Sequence, residues 1–180
     1  MRSDGRTDPR SEAGSSAVRD DDGRSSKTHL STRALAILVA ASVVAVDQVT
    51  KWLAVAYLQD DPFVVVDGVL RFRLTYNTGA SFSSFTNGGP VIALIGFGVI
   101  GFVFYILKDT KRRLEAVALG LVLGGAIGNL IDRVLRGDGV LNGAVVDFID
   151  VEFFAVFNVA DSAINIGVAL LLVAAFWKRS

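Results

Sequence analysis

Leu114-Glu-Ala-Val-Ala-Leu-Gly-Leu-Val-Leu-Gly-Gly-Ala-Ile-Gly-Asn-Leu-Ile-Asp-Arg133 carries one charged side chain, Glu115, before its Asp132-Arg133 end. From 114 to 131 it is close to the ~20 apolar residues that a helix needs to cross a bilayer. Gly120, Gly124 and Gly128 recur every four residues, with Gly125 beside them. Small residues at that spacing let helix backbones approach closely in lipid, where packing rather than water expulsion drives association. The packing reading of these glycines stands ahead of any direct role in making room for a ligand.

Three further stretches have the same character: 34–57, 90–107 and 159–177. The first is interrupted by Asp47, Gln48, Thr50 and Lys51. Its apolar pattern resumes after Lys51 with no clear A-x-A site between, so it reads as a span rather than a cleaved signal peptide. Of the 180 residues 52% are hydrophobic, and the mean hydropathy is +0.50. The expected fold is an all-α membrane protein with four transmembrane helices and a small external β-hairpin or sheet on the membrane surface. One membrane domain, 32–180, follows a polar tail, 1–31, whose Ser, Gly, Arg and Asp cannot bury enough surface to order it. Loops 58–89 and 132–158 fall on one side of the membrane. Lys108, Lys111, Arg112 and Arg113 fall on the other, with the tail, Arg33, Lys178 and Arg179. Basic loops stay inside. The termini are therefore expected in the cytoplasm, and the two long loops outside.

The first long loop has a pattern of its own. Residues 63–66 and 69–76 are strand-like and flank Asp67-Gly68, a favoured two-residue hairpin turn. Leu70, Phe72, Leu74 and Tyr76 alternate with Arg71, Arg73 and Thr75, which gives one apolar and one basic face. Loop residue Asp147, in Val145-Val-Asp-Phe148, also alternates like a strand residue.

Composition narrows the chemistry. Without Cys there is no thiolate nucleophile, disulfide or Cys-held metal. The single histidine, His29, lies in the tail, so neither a Ser-His-Asp triad nor a multi-His site is expected. No metal or other cofactor is expected. Eighteen basic residues balance eighteen acidic ones, which points to no nucleic-acid partner.

Ionisable groups at membrane depth are costly and mark function by default. Asp47 and Lys51, at i and i+4 on one helix face, can lower each other's burial cost, and an ion pair stabilising the outer end of the bundle is the reading placed first. Asp132 ends the third span externally, and Asp161 begins the fourth on the same side. Helix polarity thus brings two carboxylates, distant in sequence, to one depth. Two close carboxylates in a semi-dry site share a proton, so one can activate water while the other polarises a carbonyl. On placement alone, a catalytic dyad, an ion-conducting pair and a structural pair all stay open. Asn77, Asn129, Arg133 and Asn158 lie at the same level. They can bind peptide groups, or merely cap helix ends and snorkel. Asp147 is a third site carboxylate or a structural acceptor.

Five motifs then occur in order: Asp47-Gln-Val-Thr-Lys51, Asn77-Thr-Gly-Ala-Ser-Phe82, Gly124-Gly-Ala-Ile-Gly-Asn-Leu-Ile-Asp-Arg133, Val145-Val-Asp-Phe148 and Phe157-Asn-Val-Ala-Asp161. Together, over 34–177, they resemble the motif set of bacterial lipoprotein signal peptidase, or signal peptidase II. Ser81 departs from the Ala more common in that family. The resemblance implies a membrane aspartic endopeptidase that cuts diacylglyceryl prolipoproteins before the lipidated cysteine, at the external face of the cell membrane. It implies Asp132 and Asp161 as the dyad and Asn77, Asn129, Arg133 and Asn158 as substrate-binding residues. Asp47, Lys51, Gly79 and Asp147 stand in support. It further implies inhibition by globomycin, and a chain working as a monomer among membrane lipids is expected. The rival readings are a small proton- or cation-coupled transporter and a non-catalytic lipoprotein chaperone.

Overall fold

The computed structural model describes residues 30–79, 88–137, 139 and 141–177. The tail up to His29, Ser81 and the last three residues lie outside the described residues. The elements run α1 (Thr32–Tyr57), β1 (Phe63–Val66), β2 (Leu70–Asn77), α2 (Gly88–Leu107), α3 (Arg113–Leu135), β3 (Val145–Val151) and α4 (Val159–Trp177). All four helices are long and apolar enough to cross a membrane. Ser31 starts α1: its hydroxyl accepts from the Ala34 N–H at 3.2 Å, which satisfies one of the donors a helix start leaves free.

α3 is the centre of the bundle, and its glycines are the reason. A Cβ built on Gly120 would stand 2.6 Å from the Ala36 carbonyl oxygen of α1, and one on Gly124 would stand 2.7 Å from that of Ala40. On α4, Gly167 meets the Ala118 carbonyl oxygen at 2.7 Å in the same way. Backbone therefore touches backbone on two sides of α3. Gly124→Leu should destabilise the bundle by about 3 kcal/mol or more through overpacking. Gly98, which has nothing within 4 Å of its position, should accept Ala at little or no cost. Thermal unfolding of both variants in detergent checks the contrast.

The end of the bundle away from the sheet is closed by Val99, Ile100, Val103 and Leu107 of α2, which pack on Ala36, Ala40, Leu119 and Leu123. The N-terminal half of α2, with Ile92, Ala93, Ile95 and Gly96, lines a cavity instead.

Beyond the helices lies a three-stranded antiparallel sheet in the order β1-β2-β3. The expected hairpin is present: Val69 N–H donates to the Val66 carbonyl at 3.0 Å, and Gly68 has φ +68°. Phe148, Val146, Phe72 and Leu74 of the sheet pack against Ala54, Val55 and Leu58 at the end of α1. Two details differ from the sequence reading. β3 lies in the 132–158 loop and enlarges the hairpin to a sheet, pairing Asn77 with Val145 and Thr75 with Asp147. The third span does not stop at 131 but continues to Leu135, so Asp132 and Arg133 are helical and their directions are set by α-helix geometry. Turn-by-turn hydropathy cannot see this extension, because the last turns are polar.

Candidate active site

Asp161 is in the first turn of α4 and is held by that turn's own capping. Asn158 Oδ1 accepts from the Asp161 backbone N–H at 2.9 Å. The Asp161 carboxylate in return accepts from the Asn158 backbone N–H at 3.3 Å. This is a reciprocal capping box, which fixes both side chains relative to the helix start. The other Asp161 oxygen, Oδ1, accepts from Asn129 Nδ2 of α3 at 2.8 Å.

Asp147 comes from the middle of β3. Its Oδ1 accepts from Asn158 Nδ2 at 2.6 Å, and its Oδ2 accepts from Asn77 Nδ2, at the end of β2, at 3.0 Å. Asn77 is itself placed by a tight turn: its Oδ1 accepts from Gly79 N–H at 2.9 Å. Gly79 has φ +84°, and an added Cβ would meet Ile92 at 2.7 Å, so only glycine suits the position.

Asp147 and Asp161 open into one cavity of about 320 Å³, together with Asn77, Gly79, Asn129 and Arg133. Apolar residues of α2, α3 and α4, among them Ile95, Gly96, Val99, Ala126 and Ile164, form the rest of its lining. Arg133 is 4% exposed. It donates from Nη1 to the Gly143 carbonyl at 3.0 Å, while its Nε–H has no partner among the described residues. A buried donor without a partner is costly, and this one belongs to a side chain on the cavity wall. A ligand carbonyl would satisfy it.

Burial pushes the Asp147 carboxyl up to about 6, helped by the nearby Asp161 charge and opposed by the Asn77 and Asn158 hydrogen bonds and by Lys51. The folded chain therefore holds this proton more tightly than the unfolded chain does. Between pH ~4 and ~6 the native state binds the extra proton, so Asp147 makes stability fall as pH rises through that window. Melting temperatures measured across it should show this slope in the wild type and lose it in Asp147→Asn. Outside the spans Asp150 behaves oppositely. Hydrogen bonds from Arg71 and Arg73 hold its carboxyl below the usual range, at 2.7 and 2.9 Å.

The expected partner of Asp161, Asp132, is elsewhere. Its carboxylate is fully buried and absent from the cavity lining. Oδ2 pairs with Lys51 Nζ at 2.9 Å and accepts from the Val146 N–H at 3.2 Å. Oδ1 pairs with Arg136 Nε at 2.9 Å. The reason is angular. Arg133 lies just over one full turn after Asn129 and shares its face, whereas Asp132 is rotated about 100° back from Arg133 and faces α1.

Asp47 and Lys51 form the ion pair that their spacing suggested, at 2.9 Å. The pair is not a separate clamp, however. Lys51 also reaches Asp132 and donates to Asn129 Oδ1 at 3.0 Å. Asp47 Oδ1 accepts from the Ala160 N–H of α4 at 2.9 Å. Gln48 and Arg136, which sequence reasoning passed over, complete the cluster; Gln48 Nε2 donates to the Gly128 carbonyl at 3.1 Å. The signal for Gln48 was its place inside a polar break in an otherwise apolar helix. Among the described residues no group of three His, Cys, Asp or Glu side chains could hold a metal ion.

The architecture and motifs have close counterparts. Residues 39–177 match the family model described as signal peptidase (SPase) II. The lipoprotein signal peptidase of Rhodococcus jostii is 43% identical over 142 residues, which cover 78% of this chain and 72% of that protein. That of Mycobacterium avium is 44% identical over 140 residues, with coverages of 77% and 76%. That of Shouchella clausii is 41% identical over 142 residues, covering 77% of this chain and 90% of the relative. Among solved structures, a bacterial membrane enzyme determined by the in meso method at 1.9 Å is similar with a TM-score of 0.70 and 35% identity. The match covers 78% of this chain and 91% of that one.

Proposed function

The chain belongs to the signal peptidase II family, and from the cavity that the two acids share we propose that Asp147 and Asp161 are its catalytic pair, of the aspartic type. It is a multi-pass membrane peptidase that removes signal peptides from prolipoproteins. The observation that carries the pairing is the shared cavity: Asp147 and Asp161 line it, and Asp132 does not. Asp132 therefore gives way to Asp147 in the proposed dyad.

The chemistry follows from the partners of each acid. Asp161 accepts N–H bonds at both oxygens and is the carboxylate that takes a proton from water. Asp147, whose burial favours the protonated form, donates its proton to the scissile carbonyl oxygen. As water oxygen bonds to the carbonyl carbon, the carbonyl electron pair moves to oxygen and a neutral tetrahedral diol results. The C–N bond then breaks: the amine takes the proton from Asp161, and a diol hydroxyl returns its proton to Asp147. The free Arg133 Nε–H and the Asn77 and Asn129 amides supply contacts for the peptide.

The remaining assignments complete the reading. The substrate is a diacylglyceryl prolipoprotein cut before its lipidated cysteine, with its lipid among membrane lipids and its scissile bond at the cavity. The termini and the α2–α3 loop, with Lys108, Lys111 and Arg112, face the cytoplasm, and the site faces outward. The unit is 32–180, acting as a monomer, and globomycin occupies the same cavity. A transport path finds no residues to use, because Ala36, Ala40, Leu119 and Leu123 close the bundle beneath the polar cluster. The test is release of signal peptide from a purified diacylglyceryl prolipoprotein in detergent, where Asp161→Asn should abolish cleavage in folded protein. Near-normal turnover by that variant would overturn the assignment.

A further inference from the structure

We propose that Lys51 is a positioning residue for cleavage, locking the Asn129 amide in the one orientation that presents an N–H to Asp161. The inference rests on Asp147 and Asp161 being the reacting pair.

Lys51 is fully buried and its ammonium has three protons and no acceptor capacity. The three go to Asp47 Oδ2 at 2.9 Å, Asp132 Oδ2 at 2.9 Å and Asn129 Oδ1 at 3.0 Å. Asn129 Oδ1 also accepts from Asn158 Nδ2 at 3.1 Å. Two donors thus converge on one end of the Asn129 amide, and that end can only be the oxygen. The NH₂ end is turned to Asp161 Oδ1.

Asn158 is locked by the same logic from the other side. The Asp161 backbone N–H must find an acceptor, and it finds Asn158 Oδ1. The Asn158 NH₂ end is thereby turned to Asn129 Oδ1 and Asp147 Oδ1. A fixed cation and a fixed backbone N–H therefore set the polarity of two amides, and each amide delivers a donor to one reacting carboxylate. Flipping Asn129 would set its oxygen against Asp161 and its NH₂ against the Lys51 ammonium, two repulsive contacts in a semi-dry site. The two acids around Lys51 hold it at this point: Asp47 also binds the start of α4, and Asp132 the backbone of β3. The same cluster thus sets the relative placement of the elements bearing Asp161 and Asp147.

Two variants test the lock. The first, Lys51→Met with Asp47→Asn and Asp132→Asn, removes the cation and both buried partner charges, so that no buried carboxylate is left uncompensated. The proposal expects kcat to fall at least ~10-fold, with KM within ~3-fold and the melting temperature near wild type, since a misplaced reacting group costs rate rather than affinity. A cluster that only braces the fold predicts normal kcat once the charges are neutralised together, and that result would overturn the proposal. The second, Asn129→Asp, keeps an acceptor for Lys51 and Asn158 but replaces the N–H aimed at Asp161 by an oxygen. It folds independently of the first variant's fate, because Lys51 gains an ion pair. Its kcat should drop ~100-fold; kcat within ~3-fold of wild type would overturn the lock. Full activity in Asp147→Asn would instead sink the dyad assignment itself, and the two failures are separate.

Discussion

Asp147→Asn is expected to lower the rate of prolipoprotein cleavage by about 10³–10⁴-fold while leaving a folded protein, because it removes one of the two groups that move protons in the reaction. Asn is nearly the same shape and can still accept the hydrogen bond that Asn158 Nδ2 makes at 2.6 Å. What it cannot do is donate a titrating proton to a carbonyl oxygen and take it back. KM should change little, since Arg133, Asn77 and the apolar lining of the cavity remain. The measurement is single-turnover release of signal peptide beside a melting curve of the same preparation. Turnover above about a tenth of wild type would remove Asp147 from the chemistry.

Asp132→Ala should read the other way, with a large loss of stability and a modest loss of turnover per folded molecule. Removing this carboxylate leaves Lys51 with Asp47 as its one counter-charge, takes the partner from Arg136 and orphans the Val146 N–H. Breaking a buried ion cluster by deleting one member typically costs about 3–5 kcal/mol, because the charge left behind stays buried. The variant should therefore unfold at clearly lower temperature or denaturant. Cleavage, corrected for the folded fraction, should stay within ~10-fold of wild type, since the cavity loses none of its lining. If instead the melting curve is unmoved and cleavage vanishes, Asp132 is a reacting group and the pairing with Asp147 fails. Measured together, the two substitutions separate chemistry from architecture at carboxylates that share one end of the bundle.

Much of the site was readable before any coordinates. Asn77, Asn129, Arg133 and Asn158 were named as one outer-level set beside Asp132 and Asp161; Asn77, Asn129, Arg133 and Asp161 line the cavity, Asn158 hydrogen-bonds Asp147, and Asp132 is not in the lining. Asp147 was noticed for its strand-like alternation, and β3 carries it. Gln48 was noted only as part of the polar break in the first span, and Arg136 was given no role in the site, because nothing local distinguishes an arginine near a helix end that joins a buried cluster from one that meets water. The resemblance put Asp132 ahead of Asp147 as the partner of Asp161, and nothing in the local sequence of either acid could check that order, because it depends on which way each side chain is turned.

The division has a physical origin. The number of spans, their approximate limits and the end at which the acids gather are properties of the sequence by itself. The bilayer acts on each segment locally, through its length and apolar content, and helix direction alternates as the chain crosses. Which carboxylate faces a cavity and which faces a lysine depends on how each helix is rotated about its axis. That rotation is set by contacts distant in sequence: Gly120 and Gly124 of α3 against the α1 backbone, and Gly167 of α4 against α3. One residue along a helix turns a side chain by about 100°. The glycine-driven packing of three helices therefore decided that Arg133 opens into the cavity and Asp132 closes onto Lys51.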